Sequence, residues 1–395
     1  MTDQRVDQQT EESSELHDSP LHRAHVTAGA LFTDFAGWRM PVRYGSELAE
    51  HRAVRTAAGL FDLSHMAEIV VLGPDAAAAL DHALAGSFST LDIGRAKYSL
   101  LLAPTGGVLD DLVVYRTGED RFLVVANAAN RGVVARELEA RAAGFDAQAY
   151  DESDDIALVA IQGPQSAGIL RDLPGLAIEG GHPDGEDVPA ALDALGRYHC
   201  LAALVDGRPL LIARTGYTGE DGFELYLSPE LALSVWDMLL EVGAVRGLVP
   251  AGLASRDTLR LEAGMPLYGN ELRADVLPAQ VGLGGVVALG KHADFIGRQA
   301  SEQGPRADAP VLVGLAGDGR RAARSGNAVY PPDAEATLPV GEVTSGALSP
   351  TLGHPIAMAL VEPAYAARGT QLAVDVRGHR LPFSVVELPF YSRRK

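Results

Sequence analysis

The sequence predicts an α+β chain that closes with a small all-β domain. Three observations carry that expectation. Strand-like and helix-like segments mix through residues 20–302. A stretch rich in Gly, Pro and charge follows at 303–310 and reads as a linker. Beyond it, short β-type runs recur between Gly- and Pro-rich turns, the pattern of a small barrel or sandwich. The 395 residues are a soft prior for two or three domains, and 47% hydrophobic content is ample for a large core.

Residues 1–19 are polar and acid-rich, without the apolar core of a signal peptide, and read as a disordered tail. Residues 36–45 are extended, because Pro41 biases Met40 away from helix. A helix follows over 46–58, with Ser46 as its N-cap and Gly59 at its end. A strand covers 67–72, Gly73-Pro74 turns the chain, and the Ala-rich 75–85 is a helix. Three strands then form a meander over 98–103, 108–115 and 122–127, followed by a helix over 131–143. Residues 156–162 are a buried strand, 173–190 a loop, and 210–214 a strand. Helices span 229–242 and 252–263. In the last domain, β-type runs lie at 311–315, 328–330, 341–345, 356–361, 371–376 and 383–388.

Bulk composition excludes several function classes. A formal net charge of -19 argues against nucleic acid and against an anionic membrane surface, since both need a basic face. The single cysteine, Cys200, rules out an internal disulfide framework and a Cys-based zinc site, and fits a reducing cytoplasm. No apolar run approaches the ~20 residues of a membrane span. The histidines are scattered, with no H-E-x-x-H, so no catalytic metal is expected, and His51 and His65 read as ordinary hydrogen-bonding residues. The stretch from Gly285 to His292 mimics a phosphate-binding loop but lacks the magnesium-ligating hydroxyl at its last position.

The most informative stretch runs from Gly106 to Tyr115. Two glycines supply a turn, and an apolar strand carries Asp110 and Asp111 side by side. Side chains alternate faces along a strand, so the two carboxylates point apart. Both faces look apolar, and a desolvated carboxylate is costly without a partner or a task. The commoner fate of a bare Asp-Asp pair is a cap or a turn salt bridge. Elsewhere, Arg256 and Arg260 share a helix face and fit either pairing with Asp257 and Glu262 or a fork for a ligand carboxylate. Tyr98 and Tyr217 fit either a core or the wall of a flat heterocycle's pocket. Glu224 and Asn127 fit either caps or the donor and acceptor edge of a purine- or pterin-like ring.

Six motifs, in order, resemble one family. They are Gly37-Trp38-Arg39-Met40-Pro41-Val42, Asp62-Leu63-Ser64-His65-Met66, the 106–115 stretch, Thr215-Gly216-Tyr217-Thr218-Gly219-Glu220-Asp221-Gly222, the run 256–271, and Val343-Thr344-Ser345-Gly346-Ala347-Leu348-Ser349-Pro350. Together they look like the T-protein (aminomethyltransferase) of the glycine cleavage system. The resemblance is collinear from about Pro20 to the C-terminus. It implies a three-domain cloverleaf: two interlocked α+β folate-binding domains within 20–302, and a C-terminal antiparallel β-barrel over 311–395. It implies a reaction in which an aminomethyl group on the lipoyl arm of the H-protein passes its methylene to tetrahydrofolate with release of ammonia.

Residue by residue, Asp111 matches the family's catalytic aspartate. Tyr98, Asn127, Tyr217, Glu224 and Arg256 match positions lining the folate pocket, and Asp110 keeps a structural role. The family usually has Trp where this chain has Gly285 and Glu where it has Gln280, which bears on a pocket wall or the channel mouth. A monomer is the natural expectation for an enzyme that receives a swinging arm. Related branches widen the choice to a folate-dependent demethylase or a non-catalytic folate-binding protein. The Lys-Gly-Cys motif of the branch serving iron–sulfur proteins is absent, and the chain has no room for a fused flavin oxidase domain.

Overall fold

A computed structural model describes residues 16–181, 187–333 and 335–393. Two β-sheets face each other across a shared core, and a closed barrel packs beside them. The chain enters the larger, seven-stranded sheet through Ala58–Asp62, a fully buried strand. It then leaves that sheet and builds a five-stranded one from Ala67–Leu72, Ala96–Leu102, Val108–Arg116, Arg121–Ala126 and Gln148–Asp151. It returns at Ala157–Gln162, which pairs antiparallel with Ala58–Asp62 on one side and Gly222–Leu227 on the other. Leu248–Pro250 pairs parallel with Ala58–Asp62 at the sheet edge. The second sheet is thus inserted into the first, which interlocks the two.

The period-two pattern decides what each sheet faces. Phe223, Leu225 and Leu227 pack with the Pro229–Gly243 helix, while Tyr226 joins Ala160, Leu158 and Ala213 on the opposite face. There they meet Val70, Tyr115, Leu123 and Val125 of the five-stranded sheet. The outer face of that sheet, with Leu112, Val114 and Val124, is covered by the Ala76–Ala83 and Arg131–Ala142 helices. Burying both faces of both sheets leaves one inner seam with two walls of alternating side chains.

The C-terminal runs close into an antiparallel six-stranded barrel: Val311–Gly317, Ala328–Tyr330, Gly341–Leu348, Pro355–Val361, Gln371–Val376 and His379–Val386. Closure removes free sheet edges and settles the barrel-or-sandwich alternative. Before it, Gln280 accepts from the Leu277 amide at 2.9 Å and donates to the Pro310 carbonyl at 2.9 Å. Gln280 therefore fastens the approach to the barrel. At Gly285 an added Cβ would meet nothing within 4 Å. Lys291, in the phosphate-loop mimic, donates to the Leu84 and Gly86 carbonyls and lies 4.3 Å from the Phe295 ring centroid, so it serves the fold.

Several expectations are corrected. Residues 1–15 of the expected tail lie outside the described residues, but its last part is built in. His17–Asp18 pairs with Trp38–Arg39, and buried Ser19 donates to Asp62, which His25 also meets at 2.7 Å. The extended 36–45 stretch is one arm of a hairpin, Leu31–Phe35 with Trp38–Arg43, whose turn holds Ala36 at φ 53. The expected loop at 173–190 contains the strand Leu176–Ile178 and the start of the helix Val188–Ala194; residues 182–186 lie outside the described residues. The chain also forms the strands Gln148–Asp151 and Cys200–Val205, which its residue pattern does not predict.

One buried carboxylate ties the parts together. Glu262 ends the Leu253–Glu262 helix and is fully buried. Arg55 Nη2 donates to it at 2.8 Å, His51 Nε2 lies 3.2 Å away, and from the barrel Thr351 offers its hydroxyl at 2.7 Å and its amide at 3.0 Å, with Ser349 alongside. Burial alone would raise its proton affinity, yet His51, Ser349 and Arg55 hold the carboxyl down at about 2. A carboxyl depressed in the folded state contributes stability that is present above its ordinary range and is lost as pH falls toward 2. Glu262→Gln is expected to lose ~3 kcal/mol at pH 7, as breaking a buried ion pair does. The gap between wild type and variant should shrink between pH 5 and pH 3 in denaturant titrations; a gap independent of pH would contradict this account.

Candidate functional site

Asp111 sits where a tight turn delivers it. Gly106 adopts φ +82, and an added Cβ on Gly107 would fall 1.8 Å from the Ala274 carbonyl oxygen, so only glycine fits that approach. The turn docks on the 273–276 segment, where the Val108 amide donates to the Arg273 carbonyl at 3.1 Å. From there, alternation sends Asp110 toward the helix-covered face with Leu112, and Asp111 into the seam with Val113 and Tyr115.

The two carboxyls are linked by one amide. Asn127 follows the neighbouring strand, and its Nδ2 donates to Asp111 Oδ1 at 2.9 Å and to Asp110 Oδ1 at 2.8 Å. Asp110 also accepts from the Asn127 amide at 3.1 Å and from Asn130 Nδ2 at 2.8 Å. Burial, then the charge of Asp111, pushes its carboxyl up to about 7. Asp111 has different company. The Tyr98 hydroxyl donates to Oδ2 at 3.0 Å. Burial raises its proton affinity above the ordinary carboxylate range, with Tyr98 and Asn127 pulling the other way. That combination suits a group that takes up and gives back a proton.

Across the seam stands Glu224, paired in register with Ala160 and Ala213 in the larger sheet. Its Oε2 lies within hydrogen-bond distance of three hydroxyls: Tyr115 at 3.2 Å, Tyr226 at 3.3 Å, and Thr215. Arg256 stands 4.9 Å from the Tyr217 ring centroid, and its Nη1 is buried without a hydrogen-bond partner. Tyr217 is itself anchored through its hydroxyl to the Pro266 carbonyl. The charges of Asp111 and Arg256 are both felt at Tyr217, and that of Glu224 at Arg256. The structure therefore gathers all six expected residues, Tyr98, Asp111, Asn127, Tyr217, Glu224 and Arg256, around one seam.

The two arginines part ways. Arg260 is consumed by Asp257 at 2.7 Å, Glu271 at 3.2 Å and Ser345 at 2.9 Å. Of the two, Arg256 keeps a free guanidinium nitrogen. His51 is fully engaged with Thr258, Thr351 and Glu262, but the buried His65 leaves Nδ1 without a partner, contrary to the ordinary role expected of it. Burial, with Arg256 nearby, lowers its proton affinity to about 4, so the ring is neutral at pH 7. Cys200 is buried and its thiol is pushed up to about 12, which leaves it inert.

Sequence reasoning missed Glu68. It lies in the Ala67–Leu72 strand opposite Val125, fully buried, and neither carboxyl oxygen has a hydrogen-bond partner. A charge inside an otherwise apolar strand was the available signal. Burial raises its proton affinity well above the ordinary value; Arg131 opposes this, while Asp151 and Glu224 add to it. Glu68 and Glu224 are thus opposites within one seam: one carboxyl has three hydroxyl donors, the other has none.

The chain is similar to known proteins along its length. Residues 21–291 match the family described as GCVT N-terminal domain, and residues 311–392 match the glycine cleavage T-protein C-terminal barrel domain. The chain is 53% identical over 388 residues to an aminomethyltransferase of Streptomyces coelicolor, covering 97% of this chain and 100% of the relative. It is 54% identical over 378 residues to an aminomethyltransferase of Cutibacterium acnes, covering 96% and 99%. The crystal structure of glycine cleavage system aminomethyltransferase T from Bartonella henselae is similar with a TM-score of 0.84 at 38% identity, covering 96% of this chain and 99% of that one.

The state of Glu68 is open to a direct check. A carboxyl whose proton affinity is raised by folding adds a cost that grows as pH rises above its ordinary range. Glu68→Gln removes that cost. Thermal unfolding from pH 5 to pH 9 should show the variant gaining on wild type as pH rises, and a constant difference would rule out a neutral Glu68.

Proposed function

The chain belongs to the glycine cleavage T-protein family and is an aminomethyltransferase; from that premise we propose that its seam binds tetrahydrofolate and that Asp111 assists the folate N10. The assignment is carried by the Asp111 carboxyl, placed at the seam between Tyr98 and Asn127 with its proton affinity raised. Tetrahydrofolate is the co-substrate, and the second substrate is the aminomethyl group on the lipoyl arm of the H-protein. We place the folate-binding module at 20–302 and the barrel domain at 311–395, and read the protein as a cytoplasmic monomer.

The residues present fit a folate heterocycle. Glu224 offers an acceptor edge to adjacent N–H groups, and the unpartnered Arg256 Nη1 and His65 Nδ1 await a polar partner. Tyr217, with Arg256 beside its ring, supplies a flat wall. When bound, folate supplies the amine nucleophile for the methylene. Asp111 accepts the proton that N10 gives up as the new C–N bond forms, and its negative charge steadies the positive character of the carbon under attack. Tyr98 and Asn127 hold the carboxylate in place, so no rotamer is searched during the step. Asp110 faces away and, through Asn127, fixes the position of the amide that Asp111 depends on.

The overall transfer balances without a redox partner. The methylene leaves sulfur and nitrogen and joins two folate nitrogens, whose two protons end on the thiol and on ammonia. Asp111→Asn is expected to lose at least ~10² in kcat, the usual worth of a general base. Asp110→Asn should lose far less. The wild-type rate should fall as pH drops through the raised Asp111 range. Ammonia release from aminomethylated H-protein, with and without tetrahydrofolate, measures all three. If Asp110→Asn is the inactive one, the assignment is reversed. A methyl rather than methylene product on folate would mark a demethylase.

A further inference from the structure

The reaction releases ammonia, and the residues above handle only the incoming nucleophile. A second carboxyl stands ready beside them. Glu271 is fully buried, yet its two oxygens differ. Oε2 accepts from Arg260 Nη1 at 3.2 Å and from the Leu267 amide at 2.9 Å. Oε1 is buried and has no hydrogen-bond partner. A buried acceptor left without a donor is costly, so a fold that keeps one has a reason to be sought.

Its position supplies that reason. Glu271 closes a tight loop whose Gly269 amide donates to the Leu272 carbonyl at 2.8 Å. Two residues later, the Arg273 carbonyl accepts from the Val108 amide, at the root of the strand that carries Asp111. The loop is pinned on its other side as well: Tyr217 bonds the Pro266 carbonyl, and Asn270 Nδ2 donates to Ser345 at 3.0 Å. The charge of Glu271 is felt at both Asp111 and Tyr217, and those of Asp110 and Asp111 at Tyr268 on the same loop. The Arg273–Val108 and Pro266–Tyr217 hydrogen bonds thus fix the loop between the strand of Asp111 and Tyr217.

We infer that Glu271 Oε1 receives the departing nitrogen of the aminomethyl group, so that Asp111 serves the entering amine and Glu271 the leaving one. The inference rests on the assignment of Asp111 above. As the carbon–nitrogen bond breaks, its electron pair goes to nitrogen, and a proton released by folate joins it to complete ammonia. The nitrogen carries most positive charge when protonated and still bound. A carboxylate oxygen with free lone pairs is the group that lowers the energy of that state. Arg260 and the Leu267 amide keep Oε2 occupied, which orients Oε1 without help from the substrate.

The reverse reaction isolates this role, because ammonium is then a substrate with its own KM. Glu271→Gln should raise the KM for ammonium at least tenfold while leaving the KM for methylenetetrahydrofolate within about twofold. Glu271→Asp keeps the charge but draws it back, and should raise the ammonium KM by less than the Gln variant. It also decides the matter if the Gln variant does not fold. An ammonium KM equal to wild type in the folded variant, or a parallel rise in both KM values, overturns the inference. If Asp111→Asn retains full turnover, it is instead the underlying assignment of Asp111 that fails.

Discussion

Glu262 joins three parts of the chain. A helix before the first strand of the large sheet contributes His51 and Arg55, the barrel contributes Ser349 and Thr351, and Tyr391, near the end of the chain, donates its amide to the Glu262 carbonyl at 2.7 Å. Tyr391 also covers the Arg55 guanidinium, 4.1 Å from its ring centroid. A buried charge is tolerated only when its partners are all in place. Sheets and barrel are therefore held in register by a junction that is costly in any other arrangement, and the seam between the sheets inherits that fixed geometry.

Within the seam, like groups are made unlike by their surroundings. Five carboxyls lie in or beside it: Glu68, Asp110, Asp111, Glu224 and Glu271. Each has a different set of donors. Asp110 has two asparagines, Asp111 a tyrosine and an asparagine, Glu224 three hydroxyls, Glu271 an arginine on one oxygen only, and Glu68 none. Backbone alternation separates Asp110 from Asp111, and Asn127 couples them again. Donor placement by neighbouring strands, more than residue type, distinguishes the acidic side chains.

Much of this was legible in the sequence where a signal is local. The Asp110–Asp111 strand, its glycine turn and the six β-runs of the last domain all rest on period-two alternation and turn residues, which neighbours in sequence decide. The opposite faces of the two aspartates follow from the same rule. Less legible were features set by distant partners. Nothing near Arg256 and Arg260 reveals that Ser345 and Glu271 occupy one and leave the other free. Glu68 and Glu271 are informative because of what they lack, and an absent partner has no sequence signature. Ser19 looked like part of a polar tail because its partner, Asp62, lies 43 residues on. The match to the family's motifs named the six site residues, and the fold shows why they share a place.

The insertion of one sheet into the other has a consequence for how the protein is made. The Ala58–Asp62 strand emerges early, yet its antiparallel partner is Ala157–Gln162 and its parallel partner is Leu248–Pro250. Nearly two hundred residues separate the end of that strand from the last of these. At synthesis rates of about 5–20 residues per second, a fully buried strand waits roughly ten to forty seconds for its final neighbour. The five-stranded sheet, by contrast, draws all its strands from one continuous stretch and is free to form during that interval. The strand that carries Asp111 would then be in place before its opposite wall exists, and the seam is the last surface of the two sheets to close.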